Sequence, residues 1–363
     1  MRKIYIDNIR WITVVIVVIY HVIYMFNGVT VHGIIGPFSD HQPQDMFQYI
    51  VYPWMMLLLF TIAGMSARYY LNNHTDKEFI KTRTVKLLVP STIGLFVFGW
   101  ALGYYNMLIS GAFESLAGTP KPIQFLIMCA SGSGVLWFIQ LLWVYCLLLV
   151  LIRKIDKDRF YNVCAKTHPL VLIALTVVIY GAAQILNTPI IVVYRIGIYG
   201  AGFLIGYFVL SHDEVMDRLE NWWIVFTVLA VASGIVFVSL YWGQSYADHI
   251  VLDTIACNVY AWFGVLGILA FMKKFGNFEN PFSKWMIRKS WGLYVFHYLF
   301  IAITGWYLHV YAPDMPPVFV YLLVAIAGFA GAFLLYEIIS RIPVLKWCIL
   351  GISDKRKRKE EAK

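Results

Sequence analysis

Two histidines, three arginines, a lysine and an aspartate stand inside or at the mouths of long apolar runs. Ionisable groups there are costly and usually functional. The stretch Ile6–His21 sets Asp7 and Arg10 near the start of an apolar helix and His21 at its far end. With 1.5 Å of rise per residue, Arg10 and His21 lie roughly 16 Å apart along the axis and, three turns on, on nearly the same side. A neutral imidazole at that depth can take a proton from an alcohol near neutral pH, or it can serve as a structural hydrogen-bond partner for another helix. His297, about two turns into a later run that begins near Ser290, admits the same two readings. Arg10 reads either as a cation for an anionic ligand or as an interfacial arginine that snorkels and fixes topology, with Asp7 three residues earlier as its pairing acid.

Other charged groups carry paired readings too. Arg195 follows Pro189 by six residues without a local acid, so it needs either a carboxylate from another helix, for which Asp253 is placed, or an anionic substrate. Arg83 and Lys86, with Lys81, crowd the mouth of the third run. They are ordinary inner-face charge or a seat for donor phosphates, whose geometry arginine matches. Glu337, four residues before Arg341, reads as an interfacial pair. The segment from Thr30 to Asp45 carries His32, Asp40, His41 and Asp45, as solvated polarity or as a contact for a polar acceptor.

The elements that position these groups follow from composition. The chain is 60% hydrophobic, 17% aromatic and only 13% charged, with mean hydropathy +0.70. A soluble domain carries about a quarter charged residues, so the expected class is an all-α polytopic membrane protein. Apolar runs long enough to span fall at Ile9–Asn27, Phe47–Ala67, Leu87–Tyr105, Gly134–Ile152, Leu170–Leu186, Ile190–Leu210, Trp222–Trp242, Ile250–Met272, Trp291–Tyr311 and Val318–Ile339. That makes about ten transmembrane helices, with Ile123–Ala130 as a re-entrant or interfacial piece. The first run lacks a small-residue cleavage site and reads as a retained helix.

Of the 29 lysines and arginines, only Lys121 and Arg195 fall on the outer side of this arrangement. The asymmetry predicts both termini in the cytoplasm of a multi-pass protein of the cell membrane. One membrane domain, 1–345, is expected, followed by a basic cytoplasmic tail, 346–363, whose run at 355–359 suits anionic lipid and not nucleic acid. The five cysteines show no metal-ligand spacing, so neither a structural disulfide nor a bound metal is expected. No glycine-rich phosphate loop and no internal repeat is present.

Asp7-x-x-Arg10 followed by His21 resembles the opening of the family 3 integral-membrane acyltransferases. Phe60-Thr61-Ile62-Ala63-Gly64-Met65 is similar to that family's aromatic-x-x-Ser-Gly segment, Arg83-x-x-Lys86-Leu87-Leu88-x-Pro90 to its basic element, Leu136-Trp137-Phe138-Ile139 to its Trp-Phe element and Tyr294-x-x-His297 to its late Tyr-x-x-His. The start of the chain looks closest to the branch with the periplasmic glucan succinyltransferases. Two positions depart from the pattern. Ala63 replaces a usual serine, so that hydroxyl is lost unless Ser66 supplies it, and Val135 stands where close relatives often carry histidine. Catalysis is therefore not carried onto the Trp-Phe element.

The resemblance implies transfer of an acetyl or succinyl group from cytosolic acyl-CoA, a donor substrate and not a bound cofactor, to a carbohydrate hydroxyl across the membrane. His21 would be the general base or a covalent relay. Arg10 with Arg83 or Lys86 would steer the donor, His297 would be a second catalytic group, and Asp7 and Arg195 would contact substrate. Acyl-CoA, a carbohydrate acceptor and membrane lipids are the expected partners. A multi-span transporter of a polar or anionic solute is the alternative, but it predicts related halves with broken helices in matching positions. A sensor or assembly subunit without chemistry would need every polar residue above to be structural.

Overall fold

The computed structural model describes residues 3–30, 34–40, 42–188 and 194–353. His32, His41, Pro189 and the basic run at 355–359 lie outside them. The described chain is helical, with one isolated bridge between Asn187 and Arg195. Ten apolar helices follow in order: α1 Ile4–Tyr24, α2 Met46–Leu71, α3 Leu95–Ile109, α4 Trp137–Asp156, α5 Pro169–Ala183, α6 Ile196–Phe208, α7 Trp223–Tyr241, α8 Ile255–Phe275, α9 Pro281–Tyr311 and α10 Pro317–Arg341. Seven are long and apolar enough to cross a membrane, while α3, α5 and α6 are shorter. With hydrocarbon on the outside, such helices satisfy their own backbone.

The helices form two compact units. The first holds residues 1–16, 43–79 and 144–287, and the second holds 17–42, 80–143 and 288–363. In the first unit α2 packs on α6 and α8, and α7 lies along α8. Apolar side chains gain nothing by leaving lipid for one another, so close backbone approach must hold such helices together. A Cβ on Gly64 would lie 1.9 Å from the Phe203 carbonyl oxygen, and one on Gly206 would lie 2.1 Å from that of Thr61. Polar ties add to this: the Trp262 indole donates to the Leu172 carbonyl at 2.8 Å, and the Asn8 amide donates to the carbonyls of Gly276 and Phe278.

In the second unit α3 lies along an eleven-residue helix, Lys121–Ser131, where sequence suggests a re-entrant or interfacial piece. Eleven residues are too few to span. The third run, expected as one helix from Leu87 to Tyr105, is broken. A helix Asp76–Arg83 passes into a wide π turn, Thr84–Leu88, then into irregular turns and a second π turn, Leu95–Gly99, before regular helix resumes at Trp100. Pro90 supplies the cause: it has no N–H to give and its ring crowds the preceding turn. The backbone widens to compensate, with the amide of Val89 reaching the Thr84 carbonyl and that of Gly94 reaching Val89. The Ser91 and Thr92 hydroxyls take up the Leu87 and Leu88 carbonyls.

The expected tail boundary at 346 falls inside a further helix, Pro343–Leu350, whose Cys348, Ile349 and Leu350 are buried. The apolar face of that segment packs on α10 and on the first turn of α3.

Candidate functional site

His21 lies one turn from the end of α1, and its apolar, β-branched neighbours Val14, Val17 and Val18 bury the packed face of that helix. His297 lies within α9 and is completely buried. Both belong to the second unit, and they meet: His297 Nε2 stands 3.2 Å from His21 Nδ1, with ring centroids 5.1 Å apart. Each ring also reaches back one turn along its own helix, His21 Nδ1 to the Val17 carbonyl at 2.8 Å and His297 Nδ1 to the Leu293 carbonyl at 2.9 Å. His21 itself is partly exposed. The inner ring is fully enclosed and the outer one retains access.

Aromatic rings surround His21. Tyr298 lies 4.8 Å away, Tyr20 5.1 Å and Tyr24 6.3 Å, measured between centroids. These tyrosines stand outside the motifs above, although Tyr24 follows His21 by three residues and Tyr298 adjoins His297. That spacing was the available signal. Tyr294, in the same late element, turns its hydroxyl to the Val135 carbonyl and stacks on Trp291. The backbone at Val135 is thus anchored by a residue one turn before His297.

Arg10 and Asp7 fall in the first unit. The guanidinium donates to Asp7 at 2.9 Å, as the i, i+3 spacing predicts, and also to the Ser66 hydroxyl at 2.9 Å. Ser66, the residue one turn beyond the Ala63 departure, therefore does bring a hydroxyl to Arg10. With its side chain 42% exposed, Arg10 keeps a face open to ligand.

Lys86 sits on the π turn Thr84–Leu88, exposed, with its ammonium 5.5 Å from the centre of the Trp291 ring. The turn is pinned by the Trp143 indole on the Thr84 hydroxyl. Arg83 precedes it, partly exposed. Widened turns of this kind recur at functional sites.

Two expected pairings differ. Arg195 is buried, 2% exposed, and donates to the Leu252 carbonyl and the Asn258 side chain. Asp253, expected as its acid, instead faces His249 and Asn187. Glu337 pairs with Lys289 of α9 rather than with Arg341 of its own helix. For Glu337 a neighbouring helix offers a better-placed group than its own helix does, and for Arg195 the Leu252 carbonyl and the Asn258 amide, on either side of Asp253 in the chain, take the place of the carboxylate.

The protein thus presents an enclosed imidazole pair from α1 and α9 with one accessible edge, and separate exposed cations on α1 and on the π turn. A family model described as an acyltransferase domain matches residues 3–337. Neither a curated protein nor a solved structure matches the chain.

Proposed function

The chain belongs to the family 3 acyltransferases and is a membrane-embedded enzyme, and from that premise we propose that it moves an acetyl or succinyl group from cytosolic acyl-CoA to a hydroxyl of a periplasmic or cell-surface carbohydrate. The observation that carries this reading is the contact of His21 with His297 at 3.2 Å. It joins the two histidines that stand out in the sequence into a unit with one accessible edge. A partly enclosed imidazole beside apolar helices suits proton abstraction from an alcohol.

In the proposed reaction the acceptor O–H bond breaks and its proton passes to His21, while the oxygen attacks the thioester carbonyl. The C–S bond then breaks, and the leaving thiolate takes the proton back from His21. The products are an ester and free CoA. Arg10, Arg83 and Lys86 are each assigned to donor phosphates on the cytoplasmic side, Arg10 as a planar fork that also holds Asp7 and Ser66 and Lys86 as a point charge. In this reading both termini and the connection from Arg68 to Lys86 face the cytosol, and Thr30 to Asp45 faces the acceptor. The resemblance to the periplasmic glucan succinyltransferase branch suggests the first acceptors to try.

Purified protein incubated with labelled acetyl-CoA or succinyl-CoA and candidate glycans tests the proposal. Label is expected on the glycan, with one CoA released for each ester formed. Solute uptake into vesicles without modification would replace it with a transporter.

A further inference from the structure

The three short contacts around the histidine pair dictate where its protons sit. A carbonyl oxygen can only accept, so the ring nitrogen facing it must carry hydrogen. His297 Nδ1 faces the Leu293 carbonyl at 2.9 Å and so bears the proton of the neutral ring, which leaves Nε2 with a lone pair. That lone pair points to His21 Nδ1, 3.2 Å away, and His21 Nδ1 also faces the Val17 carbonyl at 2.8 Å. Both partners of His21 Nδ1 are acceptors, so it too carries its proton there, shared between them as a three-centre bond. One arrangement of protons satisfies all three contacts, and in it His21 Nε2 is bare.

We propose that His297 is a positioning residue: it holds His21 as the Nδ1–H tautomer, so that Nε2 is the atom that takes the proton of the acceptor hydroxyl. This role rests on the acyl-transfer reading, whereas the proton arrangement does not. The logic is that of a nucleophile, a base and a third group that orients the base. An imidazole lone pair stands here where other such sites use a carboxylate. A carboxylate in that enclosed position would be a buried charge at rest, which is costly; a neutral ring is not. When Nε2 takes its proton, the imidazolium keeps both existing bonds at Nδ1, and neither ring has to turn. The proton then leaves from Nε2 to the CoA thiolate, which restores the starting arrangement.

The test uses the full-length protein labelled with ¹⁵N-histidine. In the parent, the His21 nitrogens should give the pattern of a ring protonated at Nδ1, and a nitrogen–nitrogen coupling should connect His21 Nδ1 with His297 Nε2. His297→Phe fills the space without an acceptor; the coupling disappears and kcat is expected to fall on the order of 10- to 100-fold, the usual effect of losing an orienting partner, with both KM values near the parent's. His297→Gln offers a carbonyl oxygen to the same proton and is expected to retain most of the turnover. That variant keeps the idea testable should the phenylalanine protein not fold. A parental His21 protonated at Nε2, a His297→Phe enzyme with undiminished kcat, or a folded His297→Gln enzyme as impaired as His297→Phe would each overturn the assignment. A parent that shows the Nδ1–H pattern yet transfers no acyl group would remove the enzymatic reading and leave the proton arrangement standing.

Discussion

A histidine that accepts a proton and one that merely fills space respond differently to an amide replacement. His21→Gln keeps hydrogen-bonding capacity at the end of α1 but cannot accept a proton at neutral pH. Turnover is expected to fall by about 10²–10⁴-fold while the melting temperature stays near the parent's. The parent should also lose activity on acidification as Nε2 becomes protonated, and the residual rate of the variant should lack that limb. A His21→Gln enzyme with substantial turnover would show the residue to be structural. Arg10 makes a different prediction, because its pair with Asp7 is partly open to solvent on the Arg10 side and pairs near a surface contribute about 1 kcal/mol or less. Arg10→Ala should therefore fold normally and raise the KM for acyl-CoA more than that for the acceptor. Arg10→Lys should recover part of that loss, since an ammonium keeps the charge but cannot span Asp7, Ser66 and a phosphate as a planar fork does. Equal donor KM values in Arg10→Ala and parent would remove Arg10 from donor binding.

At the scale of elements, packing depends on positions that tolerate no side chain. Gly206→Ala places a methyl group 2.1 Å from the Thr61 carbonyl oxygen, and the helices α2 and α6 must part to admit it. Overpacking of this kind costs about 1–3 kcal/mol, which thermal unfolding in detergent would register as a lower midpoint. Gly181→Ala in α5 is the matched control, since nothing lies within 4 Å of its Cβ position. It should be neutral or slightly stabilising, given alanine's better helix propensity. If both variants melt alike, the close approach of α2 and α6 is not what holds them.

The helix Asp213–Asn221 carries a pH dependence at its entry. His212 stacks on Tyr161 at 3.8 Å, with Nε2 2.9 Å from the Tyr161 carbonyl, and burial lowers its pKa below the usual value of 6.5. The folded protein then binds fewer protons than the unfolded chain between that lowered pKa and 6.5, so acidification through this window destabilises the fold. Above 6.5 the contribution is constant. His212→Gln should flatten the slope of melting temperature against pH in that interval, and an identical slope in both proteins would exclude His212 as its source.

For the whole molecule, membrane orientation is the property to test. The charge asymmetry puts Thr75, between α2 and the helix Asp76–Arg83, on the cytosolic side. In a cysteine-free background, Thr75→Cys should resist an impermeant thiol reagent added to intact cells and react once the membrane is opened. Labelling from outside would invert the arrangement and, with it, the assignment of donor and acceptor faces.

The sequence by itself determined the class of this protein, the approximate positions of most of its apolar helices and the contact of Arg10 with Asp7. Those follow from properties that act locally: apolar length against the bilayer, and helical geometry that makes residues three apart neighbours. The break in the third run was half legible, since Pro90 announces a fault in a helix but does not say how the backbone repairs it. Only the tertiary structure decided which helices meet. It gave Arg195 the Leu252 carbonyl and Asn258 in place of Asp253, gave Glu337 to Lys289 in place of Arg341, and joined His21 to His297 across 276 residues of chain. Helix periodicity states which face a side chain occupies and nothing about what faces it. That second fact depends on where glycines let backbones approach, as Gly64 and Gly206 do in one unit and Gly103 does against the Met128 carbonyl in the other.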